Sequence, residues 1–269
     1  VSRVDLHGAS ETMLATLYAK ALDARASESA LRDAFAGDIV GQIEYDWSRT
    51  GITPRNALSV ALRSKHFDGW ARQFLAVHPE AVVLHLGCGL DSRYYRLEPG
   101  PGVEWFDVDY PDVAALRARF YPEREHCHVV AASVTDAGWL SSVPSDRPTL
   151  VVAEGVTMYL TEADGVALLR RVVGRFPCGE VQFDAFNRFG IALGWTNTPV
   201  RRAGARLHWG IGGPADILDA VPGTRLLAWV PVFDSDAFSE LTFGYRAMAA
   251  VMNRVPGLRT MAQFHRYAF

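Results

Sequence analysis

The run Val82-Val83-Leu84-His85-Leu86 leads straight into Gly87-Cys88-Gly89, and no other feature constrains the chain as much. A short apolar run, preceded by Pro79 and followed by two glycines, reads as a buried strand that ends in a tight turn. In open sheets of parallel strands, ligands lie beyond the carboxyl ends of the strands. A glycine turn after the first strand lets backbone approach a bound nucleotide there. About twenty residues beyond Gly87, the expected second strand Val103-Glu104-Trp105-Phe106-Asp107-Val108-Asp109 ends in acids. A carboxylate at that place accepts hydrogen bonds from ribose hydroxyls, which makes Asp107 and Asp109 candidates.

The rest of the chain alternates in period. Helices are expected at 91–97, after Pro111 and at 162–176, and strands at 103–108, 127–131, 150–153 and 180–186. Strands alternating with helices predict an α/β, doubly wound fold with a mostly parallel sheet. Ahead of it, residues 11–78 carry helical periodicity: Met13, Leu14, Leu17, Tyr18, Ala21 and Leu22 share one face, and Leu58, Leu62, Phe67, Trp70 and Phe74 repeat the pattern. The expected organisation is an N-terminal helical cap over 1–80 and a core over 81–269. Residues 190–213 are rich in Gly, Pro, Trp and Arg without a clear period. They read as loop or short helices within a substrate segment at about 187–215. The tail is expected to add a strand at 225–232, a helix at 235–255 and a last strand at 260–269.

Charge and cysteine usage narrow the partners. A net charge of −3, with both signs mixed along the chain, leaves no electrostatic footprint for nucleic acid or an anionic membrane. Cys88, Cys127 and Cys178 are odd in number and widely spaced, so they form neither a disulfide framework nor a zinc set. No leader-like start and no long apolar run is present, and the expectation is a soluble cytoplasmic protein acting on a small molecule. In His126-Cys127-His128 the two histidines share one face of a strand without a third ligand in view, and no metal site is expected. The absence of a G-x-S-x-G elbow argues against the common hydrolase design.

The glycine turn and its acids suit more than one cofactor. A dinucleotide fingerprint calls for a third glycine at position 92, where this chain has Ser92 followed by Arg93. An NAD-dependent oxidoreductase is therefore the disfavoured alternative.

Three strings in order, Leu84 through Arg93, then Phe106-Asp107-Val108-Asp109-Tyr110-Pro111, then Ala153-Glu154-Gly155-Val156-Thr157-Met158-Tyr159-Leu160, resemble the leucine carboxyl methyltransferase superfamily. Within it the chain looks most like the bacterial polyketide O-methyltransferases of the tetracenomycin type. Tyr18-Ala19-Lys20-Ala21, Ala61-Leu62-Arg63-Ser64-Lys65-His66-Phe67-Asp68 and His208-Trp209-Gly210-Ile211 extend the likeness over nearly the whole chain. The resemblance implies a Rossmann-like methyltransferase core, S-adenosylmethionine as cofactor, and methyl transfer to oxygen of a small polyketide-like or aryl acid. A phenol or other hydroxyl is the alternative acceptor.

It also implies roles position by position. Arg63 falls where the family pairs an arginine with the methionyl carboxylate, a task suited to a guanidinium fork. Gly87 and Gly89 match the glycines that approach the cofactor, with Asp91 in the same turn, and Asp109 matches the ribose-binding acid. Glu154 matches a glutamate near the amino group, and Lys20 a basic position near the methionyl end. Ser133 and Val134 fall at the adenine, and Ser133 departs from the acid usual in the family. A second departure is a start close to the first helix.

An acceptor carboxylate, with a pKa of about 4, is ionised at neutral pH, whereas a phenol near about 10 benefits from a base. His208 is the histidine of the substrate segment and the candidate base, with an ordinary surface role as its alternative. Tyr159 is expected either to donate to the substrate carboxylate or to form wall. Phe186, Phe189, Trp195 and Trp209 either line an aromatic pocket or pack the C-terminal half. Arg201 and Arg202 read as a solvated pair.

Overall fold

The computed structural model describes residues 2–3, 8–240 and 243–269. Most of the N-terminal stretch 1–5, and positions 241 and 242 of the helix expected at 235–255, lie outside the described residues. A short parallel pair, β1 (Ser2–Arg3) and β2 (Ile43–Glu44), stands apart from the main sheet. That sheet contains β3 (Val82–Leu86), β4 (Glu104–Asp109), β5 (Cys127–Ala131), β6 (Thr149–Ala153), β7 (Gly179–Phe186), β8 (Arg225–Pro231) and β9 (Ala262–Ala268).

Its order is β5-β4-β3-β6-β7-β9-β8, parallel throughout except for β9, which runs antiparallel to both of its neighbours. The chain steps from β3 outward to β4 and β5, then crosses back to β6 and β7 on the other side. The order reverses at β3, and the crevice beyond the carboxyl ends of β3 and β6 is where such folds bind ligands. β3 and β6 are buried along their whole lengths, as central parallel strands covered on both faces must be. The fold is the Rossmann-like one expected.

Helices cover both faces of the sheet. α1 (Ala9–Ala24) and α2 (Ala34–Gln42) come first, and the Asp33 side chain caps α2 by accepting from the backbone of Phe35 and Ala36. α3 (Pro54–Val77) opens on a capping box between Thr53 and Asn56 with Pro54 in its first turn. Leu62, Phe67, Trp70 and Phe74 of α3 pack against Val83, Trp105, Leu150 and Val152 of the sheet. α1 and α2 instead form a cluster of Leu14, Leu17, Ala21, Ile39 and Val40 that takes in Leu90 of the glycine turn. α4 (Arg93–Leu97) and α5 (Pro111–Arg117) follow β3 and β4. On the opposite face from α3, α6 (Glu162–Arg175) buries Leu168, Leu169 and Val172 against Val151 and Val181.

The segment after β7 folds as short helices, α7 (Arg188–Ala192) and α8 (Thr198–Arg202). Then comes α9 (Pro214–Ala220), which the periodicity does not announce because seven residues span under two turns. The single helix expected at 235–255 is divided. Phe238 inserts into the cluster under α3, and a 3-10 turn (Asp236–Glu240) precedes α10 (Phe243–Met252) and α11 (Pro256–Arg259). No helix among the described residues is long and apolar enough to cross a membrane.

Two histidines with depressed pKa values, His66 half-buried and His265 buried, set an acid limit on stability. His66 bonds to the Ser235 hydroxyl at 2.7 Å and stacks on Phe264, and burial pushes its pKa down to about 4. His265 bonds to the Tyr267 hydroxyl at 2.7 Å, and burial takes it to about 3. Both are neutral in the fold, whereas the unfolded chain protonates them near pH 6.5. The unfolded state therefore binds more protons from about pH 6.5 down to the folded pKa values, and stability is lost across that window as pH falls. At about 1.4 kcal/mol per unit, urea unfolding is expected to lose on the order of 3 kcal/mol between pH 7 and pH 5. Equal stability at the two pH values would remove these histidines as its source.

Candidate active site

The glycine turn after β3 is built from glycine because its backbone demands it. Gly87 and Gly89 have φ of 59° and 52°, the left-handed region. A Cβ on Gly87 would meet Val156 Cγ2 at 2.5 Å. The Gly87 amide donates to the Val108 carbonyl at 2.8 Å, and the Gly89 amide donates to Asp109 Oδ2 at 2.7 Å. Asp109 Oδ1 accepts from the Tyr110 amide at 2.8 Å, so this carboxylate fastens the end of β4 to the turn. Beneath the turn, Arg117 Nη1 donates to the carbonyls of Gly89 at 3.2 Å and Asp91 at 2.7 Å.

Asp107 is a correction to the ribose reading. It is fully buried and receives Arg117 Nη2 at 2.5 Å, His85 Nδ1 at 2.8 Å and Trp105 Nε1 at 2.9 Å. It shares a face with Asp109 but lies two residues deeper along β4, roughly 6–7 Å short of the strand end. Burial opposes its charge, but Arg117 and His85 outweigh that and hold its pKa at about 2. The carboxylate supports the turn from below and does not reach the cavity.

A cavity of about 240 Å³ opens beyond the carboxyl ends of β3, β4 and β6. Lys20, Arg63, Gly87, Gly89, Asp91, Asp109, Ser133, Val134, Glu154 and Tyr159 all line it. Elsewhere its wall is apolar, with Met13, Leu17, Ile52, Val60, Met158, Leu160, Phe186 and Val200, and the side chains of Thr12 and Asn197 among them. Ser133 shares a hydrogen bond with Thr135 at 2.8 Å. Tyr159, hydrogen-bonded to Thr12, has its phenol pKa pushed up by burial.

The polar part of the cavity rests on one connected ionic network. Lys20 Nζ lies 3.1 Å from Asp91, which Arg96 also reaches at 2.5 Å. Arg96 continues to Asp33 at 3.1 Å and Asp68 at 2.9 Å, and Arg93 pairs with Asp68 at 2.8 Å. Arg93 also pairs closely with Glu154, which accepts from Arg63 Nε at 2.9 Å and from the Ser64 hydroxyl at 2.8 Å. Arg63 Nη1 then reaches Asp184 at 3.1 Å. Burial works against the charge of Glu154 and Asp91, yet Arg93 and Arg63 hold the first well below the usual carboxylate range, and Arg96 and Lys20 the second. Among the described residues this network sets five carboxylates, Asp33, Asp68, Asp91, Glu154 and Asp184, against four cations, and Asp109 adds a further carboxylate to the cavity wall. The site carries surplus negative charge and suits a ligand that is cationic overall.

His208 is the second correction. Its side chain is exposed and does not line the cavity, while its amide donates to the Met158 carbonyl at 2.8 Å. The next residue, Trp209, takes the inward place: a Cβ on Gly165 of α6 would lie 2.0 Å from Trp209 Cζ3, so only glycine admits the ring. In an extended segment the neighbouring side chain is thrown outward. Of the four aromatic candidates, only Phe186 faces the cavity, whereas Trp195 and Phe189 are exposed and Trp209 is core. Arg201 and Arg202 are exposed, and Arg202 reaches the Ser48 carbonyl at 2.5 Å. His126 and His128 both bond to the carboxylate of Glu104, at 2.9 and 2.7 Å.

The sequence model of leucine carboxyl methyltransferases matches residues 12–173, more than half of this 269-residue chain. The chain belongs to the leucine carboxyl methyltransferase family. It is 44% identical over 99% of its length to the tetracenomycin polyketide synthesis O-methyltransferase TcmP of Streptomyces glaucescens, of which 98% is covered. It is 36% identical over 83% of its length to the S-adenosyl-L-methionine-dependent methyltransferase dpfgK of Gibberella zeae, of which 82% is covered. Among solved structures, a candidate methyltransferase from Thermobifida fusca YX aligns with a TM-score of 0.60 at 15% identity over 93% of each chain, a likeness of fold.

Sequence reading of this family member overlooks Arg93, Arg96, Arg117 and Asp184. Asp184 had a signal, a carboxylate set among the apolar residues Phe183, Ala185 and Phe186 of a buried strand. The arginines had none, because α4 and α5 look locally like ordinary charged helices. Ser92, standing where a third glycine would be, is buried and donates its hydroxyl to Asp33 at 2.6 Å.

Proposed function

We propose that this chain transfers a methyl group from S-adenosylmethionine to a carboxylate oxygen of a small polyketide-like or aryl acid, giving a methyl ester. Family membership makes it an S-adenosylmethionine-dependent methyltransferase. The residues fit that cofactor. Gly87 and Gly89 bring bare backbone to the cavity wall, and the surplus negative charge of the cavity matches a molecule that bears a sulfonium and an ammonium against one carboxylate. The pyrophosphate of a nicotinamide cofactor would meet that same charge as repulsion, which argues against the oxidoreductase alternative.

When bound, the cofactor supplies an activated methyl group. Arg63 and Lys20 are then the cations available to its carboxylate, and Glu154 and Asp91 the acceptors available to its ammonium. Asp109 serves the ribose, and Ser133 with Val134 serves the adenine. The apolar wall from Met13 to Val200 excludes water from an acceptor acid and gives its hydrophobic part contact. Tyr159, kept protonated by burial, is the donor for the acceptor carboxylate.

One observation favours carboxylate over phenol. Among the described residues, the only histidine on the cavity wall is His85, and both its ring nitrogens are engaged. Nδ1 donates to Asp107 at 2.8 Å and Nε2 accepts from Arg93 Nη1 at 3.1 Å, while burial lowers its pKa and keeps it neutral. Among the described residues no imidazole is offered to deprotonate a phenol, and a carboxylate acceptor needs none. The test is incubation with methyl-labelled S-adenosylmethionine and a panel of aryl and polyketide acids, followed by mild base. Release of labelled methanol is expected, because esters hydrolyse. A base-stable labelled ether would overturn the carboxylate assignment.

A further inference from the structure

We propose that Asp184 is a positioning residue that holds the Arg63 guanidinium with its Nη2 edge free for the carboxylate of the bound cofactor. The proposal rests on the reading that Arg63 serves that carboxylate, and it goes beyond it by assigning what aims the arginine.

Arg63 projects from α3 and is tied on two sides. Nε donates to Glu154 Oε1 at 2.9 Å, and Nη1 donates to Asp184 Oδ2 at 3.1 Å. Nη2 makes no hydrogen bond among the described residues and lies over Gly155, where a Cβ would be 3.5 Å from it. Gly155 has φ of 70° and lines the cavity beside Arg63. The guanidinium is planar, so fixing two of its nitrogens fixes the direction of the third.

Asp184 is suited to that task because it is anchored more firmly than the arginine. It lies within β7, buried, and it does not line the cavity. Its Oδ1 accepts from the Gly155 amide at 2.6 Å, and its backbone carbonyl accepts from the Thr157 hydroxyl at 2.5 Å. One residue thus joins three places: Arg63 of α3, the left-handed turn after Glu154, and the start of the segment that carries Tyr159. The other carboxylate on Arg63, Glu154, is shared with Arg93 and Ser64 and cannot set the direction alone. Without Asp184, Nη1 loses its partner, and the guanidinium is free to rotate about the Nε contact.

The experiment measures binding of two ligands to the full chain by calorimetry. S-adenosylhomocysteine carries the amino-acid carboxylate, and 5′-methylthioadenosine lacks it. Asp184→Asn keeps the shape and removes the charge. It is expected to weaken S-adenosylhomocysteine about tenfold and to leave 5′-methylthioadenosine within about twofold. A merely structural role would weaken both alike, and that result, or no change in either, overturns the proposal. Arg63→Ala separates the two levels of inference. If it leaves S-adenosylhomocysteine binding unchanged, the reading of Arg63 falls and this proposal with it; if it abolishes the ligand difference while Asp184→Asn does not touch it, only the proposal falls. Should Asp184→Asn fail to fold, Asp184→Glu, which keeps the charge on a longer arm, is expected to show the same selective loss.

Discussion

Arg117→Met is expected to lower the stability of the fold by about 3–5 kcal/mol, because it removes one partner of a fully buried ion pair and leaves the Asp107 carboxylate uncompensated. In a chain of this size the midpoint of thermal unfolding should fall by roughly 10 °C or more. Methionine fills a similar volume, so the loss is electrostatic and not a cavity. Arg117 also donates to the carbonyls of Gly89 and Asp91, and its removal takes the support from under the glycine turn. Cofactor binding should weaken with stability. A second substitution, Asp107→Asn, removes the stranded charge and is expected to restore part of the loss, so the double variant should be more stable than the sum of the singles. Thermal and urea unfolding of the four proteins closes that cycle. Strict additivity would mean that the two residues do not act as a pair.

What the sequence could disclose here followed from how local each determinant is. β3 and β6 were legible because a central parallel strand must be apolar along its length, and glycine or proline marks where it stops. The glycine turn was legible for a related reason: its backbone region is open to few other residues. Asp107 and Asp109 show where legibility ends. Both share one face of β4, and only the depth of the strand end decides that one faces the cavity while the other is buried on Arg117. His208 and Trp209 are neighbours competing for one inward position, and the slot left by Gly165 of α6 decides between them. The ionic network was beyond reach because its pairs join α1, α3, α4 and β7 across long stretches of chain. Lys20 and Arg63 entered by resemblance to the family, whereas Asp184 and Arg93 became visible only when the fold brought them together.

Glu154→Gln is expected to weaken S-adenosylmethionine far more than S-adenosylhomocysteine. The substitution keeps the side chain's shape and leaves an oxygen for the Ser64 hydroxyl, but it removes one negative charge from the cavity wall. A unit charge at roughly 6 Å and an effective dielectric of about 20 interacts by on the order of 2–3 kcal/mol. Both ligands carry the ammonium for which Glu154 is an acceptor, and glutamine keeps an oxygen for it with Asp91 beside it, so the loss at that group is small and common to the two. Only S-adenosylmethionine adds a sulfonium, so it alone should lose about 30- to 100-fold in affinity. The homocysteine product should change by only a few-fold, on the order of 1 kcal/mol or less. The charge is not spare in the fold, since Glu154 sits between Arg93 and Arg63, but each of these keeps a second carboxylate, Asp68 and Asp184. The variant should therefore fold, and calorimetry with the two ligands reads the effect directly. Equal losses for both would show that Glu154 acts through the ammonium common to the two ligands or through local geometry, and not through the sulfonium. A selective loss would mean that the surplus negative charge distinguishes cofactor from product, holding the methyl donor tightly and releasing the neutral product once the sulfonium charge is gone.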